Sequence, residues 1–426
     1  IVLILLCLAG SRIVVRFIAP GLDFNTMEKS IRLMRIMMPF SFFIIISNII
    51  SAYLQANEHF IPPALTSLPY GIIGILSIIF FHSYGIKFLG YGSAIAFLLM
   101  FVIQLPVVRM QGFKYRFIID LKDESLITVK KLIIPVIISS SFSQIYMIVN
   151  RILASSLDEG SISALDYATK VNTVFFNVFT VPLATVLFSK LSSNNDNKEK
   201  FIQYLNNALR IGTITSLPVT TGLVVLRVPI IRFLFERGEF TPYNTLTTSI
   251  ALSGLALGTI GVTFSELLNR AFFALKDTKT PMFIGTISII LNIAISLSLV
   301  KKLGIAGIAL GTSVSAIICG CFLLFRLRNK LKHIKGKSLL SVFAKSIFAS
   351  IIMGVLISLI QNVLIPKTNT NISFISTTIN LLISVSIGGL LYLVILYMIK
   401  VEEIYSGIDF MRKKIGSFLA ADNIHN

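Results

Sequence analysis

Hydrophobic residues make up 55% of this 426-residue chain, only 13% of its residues are charged, and the mean hydropathy is +0.85. Soluble domains carry about twice that charged fraction, so the composition excludes an ordinary soluble protein. The net charge of +19 would suit a nucleic-acid-binding protein, but no loop between the apolar runs is long enough to fold into a basic domain.

The apolar runs are long enough to cross a bilayer, because a helix rising 1.5 Å per residue spans about 30 Å of hydrocarbon in about 20 residues. We therefore predict an all-α polytopic membrane protein. Its twelve predicted transmembrane helices are 1–19, 36–54, 64–82, 91–108, 132–153, 161–189, 208–228, 246–268, 281–300, 305–325, 340–364 and 377–399.

Lys and Arg concentrate in the loops that an alternating path through these spans puts on the same side as both termini. The richest loops are 109–131 and 326–337, and every charge in the second is positive. Such an excess marks the cytoplasmic face, where basic residues meet anionic lipid headgroups. We therefore expect membrane lipids, and no nucleic acid, as partners of the basic loops.

Four short landmarks occur twice in the same order, at offsets of 216 to 219 residues. They include "VVRFIAPGLDF" (14–24) with "IIRFLFERGEF" (230–240), and "SAYLQANEHFIPP" (51–63) with "NRAFFALKDTKTP" (269–281). Both copies cross the membrane in the same direction, which predicts two parallel helical bundles related by a pseudo-twofold axis along the membrane normal, a transporter plan. Biased apolar composition is the competing explanation.

The repeat also predicts the domain organisation. We expect four of the six helices of an N-terminal bundle in 1–112, a cytoplasmic linker in 113–131 and a C-terminal six-helix bundle in 132–330. An extra helix pair in 338–400 and a cytoplasmic tail in 401–426 follow. Because the second bundle has two more spans than the first, we expect fourteen helices in the full chain.

A polar stripe follows the span 161–189. Its members are spaced by 3, 4, 3 and 4 residues and so share one helix face: Ser163, Asp166, Lys170, Thr173 and Asn177. Ionisable groups at membrane depth usually face a wet cavity or a partner. We predict that this stripe lines a substrate cavity, together with Arg151 on the preceding helix and Arg16 on the first.

Two plainer interpretations remain open for these residues. Asp166 and Lys170 are four residues apart and would neutralise each other near the interface. Arg16, like Arg12, lies close enough to the end of its span to reach the headgroups. Glu266 and Arg270, also four apart, are predicted to form a structural ion pair.

Cations outnumber acids within the spans, so the cavity should prefer an anion such as a phosphate or diphosphate. No GxxxxGK[ST], HExxH, GxSxG or CxxC pattern occurs. We therefore predict no enzymatic activity, no cofactor and no metal site of these types. Coupling to the membrane potential or to an ion is compatible with the sequence.

Several stretches resemble landmarks of one family: "LFERGEF", "LLNRAFFALKDTKTP", "LGIAGIALGTSV" and "ASSLDEGSISALDYATK". They are similar to the MurJ/MviN lipid II flippases of bacterial peptidoglycan synthesis, within the multidrug/oligosaccharidyl-lipid/polysaccharide superfamily. The resemblance implies a fourteen-helix protein of the cytoplasmic membrane. Its implied substrate is lipid II, the undecaprenyl-diphosphate-linked precursor, and contact with cell-wall synthesis enzymes is an implied further role.

The resemblance also implies roles for particular positions. The family's cavity arginine ends a "YADR" motif, and the matching residue here is Lys170, which keeps the charge but not the planar fork that grips a diphosphate. A sodium site of some members matches Asn150, Asn292, Ser296 and Thr312. Because that set has no carboxylate, sodium coupling is doubtful here and ordinary polar packing is the better interpretation. The last two spans correspond to an apolar groove for the polyprenyl tail.

Two rival functions remain. A related exporter of polysaccharide-lipid units or drugs, working by antiport, would share the fold and differ in the chemistry of the cavity. A membrane scaffold for cell-wall enzymes would tolerate loss of the cavity charges. The repeat favours alternating access over a channel.

Overall fold

The structure, a computed structural model, describes residues 2–57, 59, 61–81, 85–111, 144–194, 197–331, 336–364 and 374–405. All regular elements in these ranges are helical. The chain divides into two compact units, Ile1–Ile137 and Ile138–Asn426. The predicted linker 113–131 and most of the predicted tail 401–426 lie outside the described residues.

The first unit is built from short and medium helices. They are α1 (Val2–Ala9), α2 (Ser11–Ile18), α3 (Phe24–Met37), α4 (Ser41–Ala56), α5 (Ile61–Leu65), α6 (Ser67–Phe81), α7 (Ile86–Val102) and α8 (Leu105–Met110). A 3₁₀ turn at Met38–Phe40 joins α3 to α4, where Pro39 lacks the amide needed to continue an α-helix.

The second unit contains longer helices. They are α9 (144–155), α10 (Ser161–Phe175), α11 (Val181–Ser193), α12 (Lys198–Val225), α13 (Arg227–Phe235), α14 (Pro242–Ala256), α15 (Thr259–Ala274), α16 (Lys279–Leu303), α17 (Ile305–Leu331), α18 (Gly336–Leu364) and α19 (Phe374–Met398). A π-helical turn, Phe176–Thr180, joins α10 to α11.

Within the described ranges, nine helical runs are long and apolar enough to cross a membrane, and the bent pair α14–α15 makes ten. These ten coincide with ten of the twelve predicted spans. The predicted span 1–19 was wrong as a single helix, because α1 and α2 are separate short helices with a turn at Gly10. The predicted span 132–153 is described only from residue 144 onward.

The same close contact between helices occurs once in each unit. A Cβ added at Gly92 of α7 would overlap the Ser77 hydroxyl of α6, and one added at Gly311 of α17 would overlap the Ser296 hydroxyl of α16. Gly311 follows Gly92 by 219 residues, and Ser296 follows Ser77 by the same number. Small residues at these points let the helix backbones approach each other closely.

The duplicated hinges also share a backbone bond. The amide of His59 donates to the Leu54 carbonyl at 2.8 Å, and the amide of Asp277 donates to the Phe272 carbonyl at 2.9 Å. Each bond spans five residues and closes a helix C-terminus, as in a Schellman motif. In the second hinge Lys276 adopts the left-handed conformation with φ 58°, which is the turn residue that this motif requires.

Within the second unit, the last two helices pack against α12 and α13. The Tyr392 hydroxyl of α19 donates to the Ile214 carbonyl of α12 at 2.8 Å. Lys345, predicted within a span, donates from its ammonium to the Ile399 carbonyl at 3.0 Å and so caps the end of α19. Arg210 of α12 pairs with Glu402 at 2.9 Å and also with Glu403.

Candidate functional site

The predicted polar stripe lies on one accessible face of α10 and the π-helical turn after it. Ser163, Lys170, Thr173 and Asn177 are exposed and Asp166 is half-buried. The opposite face is buried in the core of the second unit through Ala164, Leu165, Ala168 and Val171. Burial of this apolar face fixes which way the polar face points.

Asp166 pairs with a different cation from the one that its spacing suggests. Its carboxylate lies 3.5 Å from the Arg151 guanidinium of α9, and both side chains are more than 40% exposed. Exposed pairs of this kind contribute about 0–1 kcal/mol to stability. The pairing nevertheless joins α9 to α10 and leaves the charge of Lys170 uncancelled by Asp166.

The Lys170 ammonium lies 5.2 Å from the centroid of the Tyr167 ring, a cation–π distance. Among the ion pairs of the described residues, none involves Lys170. Lys170 is therefore an accessible cation of this face, without an ion-pair partner among the described residues. Arg16 lies in the first unit, exposed in the last turn of α2.

An aromatic cluster that the sequence did not predict supports Tyr167. The Tyr167 ring lies 4.7 Å from Phe235 and 5.5 Å from Phe240 between centroids. Both phenylalanines belong to the "LFERGEF" stretch, and Glu236 between them accepts bonds from Arg232 and Thr245. That stretch therefore positions the tyrosine beneath Lys170. The sequence marked this stretch by its duplication and by the family resemblance, but neither signal indicated a contact with Tyr167.

The residues of the implied ion site lie near Tyr146 and Thr312: Asn150 contacts Tyr146, and Ser296 contacts Gly311 beside Thr312. The Thr312 hydroxyl accepts from the Tyr146 hydroxyl at 3.0 Å and from the Asn292 amide at 3.4 Å. Three buried oxygens have no hydrogen-bond partner in the described structure: Asn150 Oδ1, Asn292 Oδ1 and Ser296 Oγ. Sequence reasoning missed Tyr146, because its contact with Thr312 joins residues far apart in the chain.

These oxygens are of the type that a hard monovalent cation takes, but all of them are uncharged. The described residues include no cluster of three or more His, Cys, Asp or Glu side chains. A buried cation without a compensating carboxylate is strongly disfavoured. The residues present therefore do not fit a tightly held sodium ion, and we assign no transport step to one.

Glu266 and Arg270 form the ion pair predicted from their spacing, at 2.7 Å. It lies within α15 and has no assigned role in the candidate site.

Many apolar helices, a cationic helix face and two compact units define a polytopic membrane protein of the transporter type. A solved inward-facing multidrug transporter of the MATE family, in the MOP superfamily, shares this fold with a TM-score of 0.64 at 18% identity, over 77% of this chain and 78% of that one.

A narrower comparison identifies the family. The sequence profile described as "Lipid II flippase MurJ" matches residues 1–377. A probable lipid II flippase MurJ of Buchnera aphidicola subsp. Acyrthosiphon pisum is 32% identical over 92% of this chain and 78% of its own, and one of Rickettsia prowazekii is 30% identical over 81% and 69%. The chain belongs to the MurJ family of lipid II flippases.

A solved lipid II flippase MurJ in an inward closed conformation gives a TM-score of 0.80 at 30% identity, over 93% of this chain and 80% of that one. The chain is therefore a multi-pass transporter of the bacterial cytoplasmic membrane, not an enzyme.

Proposed function

We propose that this flippase moves lipid II from the inner to the outer leaflet by alternating access, with the exposed face of α10 contacting the diphosphate. The observation that carries this proposal is the environment of Lys170. Its ammonium is accessible and rests on Tyr167, while Asp166 is engaged by Arg151. An unpaired cation on a membrane helix is costly unless it faces water or an anionic ligand.

The other residues of the face have complementary roles in this proposal. Lys170 supplies a point charge with three donors, and Ser163, Thr173 and Asn177 supply neutral hydrogen bonds. Arg151 holds Asp166 and brings a second cation to the same face. A role for Arg16, on α2, stays a prediction from the sequence.

The transport cycle follows from the repeat. The two helical bundles that the repeat predicts would alternate between inward-open and outward-open states while the polyprenyl tail remains in lipid. The outward faces of α18 and α19 carry exposed apolar side chains such as Val355, Leu382 and Leu390, which suit a hydrocarbon tail.

The membrane potential can supply energy for outward movement of the anionic headgroup. Outward movement of an anion across a potential that is negative inside is favoured by about 2.3 kcal/mol per charge per 100 mV. A headgroup with a diphosphate would therefore be driven outward without a nucleotide.

The experiment measures lipid II exposed on the outer face of a bacterium depleted of its own lipid II flippase. We expect expression of this gene to restore exposure, and Lys170→Gln to reduce it about tenfold or more, because a charge-assisted hydrogen bond contributes about 1.5–3 kcal/mol. Lys190→Gln is the matched control: Lys190 also lies over a tyrosine, 5.3 Å from the Tyr204 ring, but on α11.

If wild type, Lys170→Gln and Lys190→Gln all expose equal amounts of lipid II, the flippase activity stands but Lys170 is not part of the transport path. No exposure with any of them, at normal expression, would favour export of a different substrate by the same fold.

A further inference from the structure

A pocket of about 170 Å³ lies in the second unit between the first turns of α10 and α14. It is separate from the Asp166–Arg151 pair but adjoins the same face. Its wall includes Ser163 and Tyr167 of α10, Phe240 of the preceding loop, and Tyr243, Thr247 and Thr248 of α14. The alternating path predicted from the sequence puts these helix ends on the outer side of the membrane.

The pocket lining is mostly neutral and combines apolar surface with a few polar groups. Hydroxyl groups, the Asn244 amide and aromatic rings form the wall, and none of its described residues is Lys or Arg. Glu159, exposed at the rim, is the charged member of the described lining. A phosphate group would find no cation there, whereas hydroxyl and amide groups would find both donors and acceptors.

One group in the wall lacks a partner. Thr248 is fully buried, and its hydroxyl has no hydrogen-bond partner among the described residues. A buried hydroxyl without a partner keeps its desolvation cost uncompensated. Thr248 therefore contributes an unsatisfied hydroxyl to the pocket wall.

The wall is also held in place by its neighbours. Tyr167 is packed between Phe235 and Phe240, and α10 packs closely against α14. Pockets with fixed apolar walls and a few placed polar groups are typical ligand sites.

Tyr167 connects the pocket to the cationic face. It forms part of the pocket wall, and the ammonium of Lys170 rests on its ring at 5.2 Å. Ser163, in the pocket, precedes Lys170 by seven residues, which is about 10 Å along the helix. The pocket is therefore within reach of a ligand that has a phosphate at Lys170.

We propose that this pocket binds a neutral hydroxyl- and amide-bearing group of the headgroup, about the size of one sugar ring, while the diphosphate is at Lys170. This inference rests on the proposed function. The same chemistry is available from the sugar and from the peptide of a peptidoglycan precursor, and the experiment below separates the two.

The test measures dissociation constants of the full chain in nanodiscs for three lipids: lipid II, lipid II without its peptide, and undecaprenyl diphosphate. The variant is Thr247→Leu, which fills the pocket. The Thr247 hydroxyl bonds only to the Tyr243 carbonyl of its own helix, at 3.1 Å. Thr286→Leu, whose hydroxyl likewise bonds within its helix to Met282, is the control.

We expect Thr247→Leu to weaken lipid II binding roughly tenfold and to leave undecaprenyl diphosphate unchanged, since a pocket discriminates only against the group that enters it. An equal loss with peptide-free lipid II identifies the sugar as the occupant. A loss confined to complete lipid II identifies the peptide. Tyr243→Ala, at an exposed rim position, should show the same selectivity if Thr247→Leu folds poorly.

Equal weakening of all three lipids, or of none, by both pocket variants would overturn this inference. Failure of the proposed function has a different signature: wild type would bind none of the lipids, or Lys170→Gln would leave the binding of undecaprenyl diphosphate unaltered.

Discussion

Lys170 shows how a single side chain sets the chemistry of the candidate site. A lysine brings a compact charge without the planar fork by which arginine grips a diphosphate. The neighbours of Lys170 therefore have to orient the diphosphate. Tyr167, beneath the lysine, restricts where the ammonium can lie.

The uncharged cluster around Thr312 gives a prediction about sodium. Asn150→Asp adds a carboxylate beside oxygens that now lack a partner, so it should create a sodium site. We expect the melting temperature of the variant to be about 2–4 °C higher in sodium chloride than in potassium chloride. Wild type should show no such difference. A sodium-dependent shift in wild type would contradict this account of the cluster.

Asp277 gives a prediction about pH. Its carboxylate accepts from Lys330 at 2.7 Å and from the amide of Thr280 at 3.1 Å, capping α16. The bond from Lys330, more than any other contact, holds the pKa of Asp277 below its ordinary value of 3.8. A lowered pKa stabilises the fold above the unfolded value and stops doing so as the pH falls through the folded one.

Asp277→Ala should therefore lower the free energy of unfolding at neutral pH by about 1–2 kcal/mol, the usual cost of losing a cap. The difference from wild type should shrink as the pH is lowered below 3.8. Unfolding in detergent at several pH values measures this. Asp158→Ala, at an exposed position, should have little effect, and a difference that is independent of pH would contradict the assigned role.

The residues of the candidate site were partly predictable from the sequence. Helical spacing alone places Ser163, Lys170 and Asn177 on one face, because the period of a helix is fixed. Spacing also suggested an Asp166–Lys170 pair, whereas the structure pairs Asp166 with Arg151. That choice depends on how α9 packs against α10, which local spacing does not encode.

At the scale of elements, hydropathy located most spans but not their interruptions. An averaged window does not detect the turn at Gly10 or the 44° bend between α14 and α15. The bend between α14 and α15 lies inside apolar sequence, where backbone geometry changes without a change in polarity. The turn at Gly10 precedes Ser11 and Arg12, but the window averages these two residues with the apolar residues around them.

The contact between α16 and α17 gives a prediction at this scale. Gly311→Ala would push a methyl group into Ser296 and should cost about 1–3 kcal/mol through overpacking. Gly285→Ala on α16 is the control, because nothing lies within 4 Å of its added methyl group. Thermal unfolding should show a lower melting temperature for Gly311→Ala than for Gly285→Ala. Equal melting temperatures would contradict this prediction, because they would mean that α16 and α17 can move apart without cost.

For the whole molecule, the repeated features suggest a common plan for the two units. The hinge bonds at His59 and Asp277 and the contacts at Gly92 and Gly311 recur at offsets of 218 and 219 residues. The two units differ in chemistry: Ile73 stands where the second unit has Asn292 at the same offset. A shared scaffold with different polar content suits a transporter in which the two bundles have distinct tasks.

The central claim is that this protein carries lipid II across the membrane and that the charge of Lys170 takes part. The most direct test is the rate of lipid II translocation in liposomes containing only the purified full-length protein, without nucleotide. We predict translocation by wild type, comparable translocation by Lys170→Arg, and a rate at least about tenfold lower for Lys170→Gln. Equal rates for Lys170→Gln and wild type would contradict the claim about the charge, and no translocation by wild type would contradict the account as a whole.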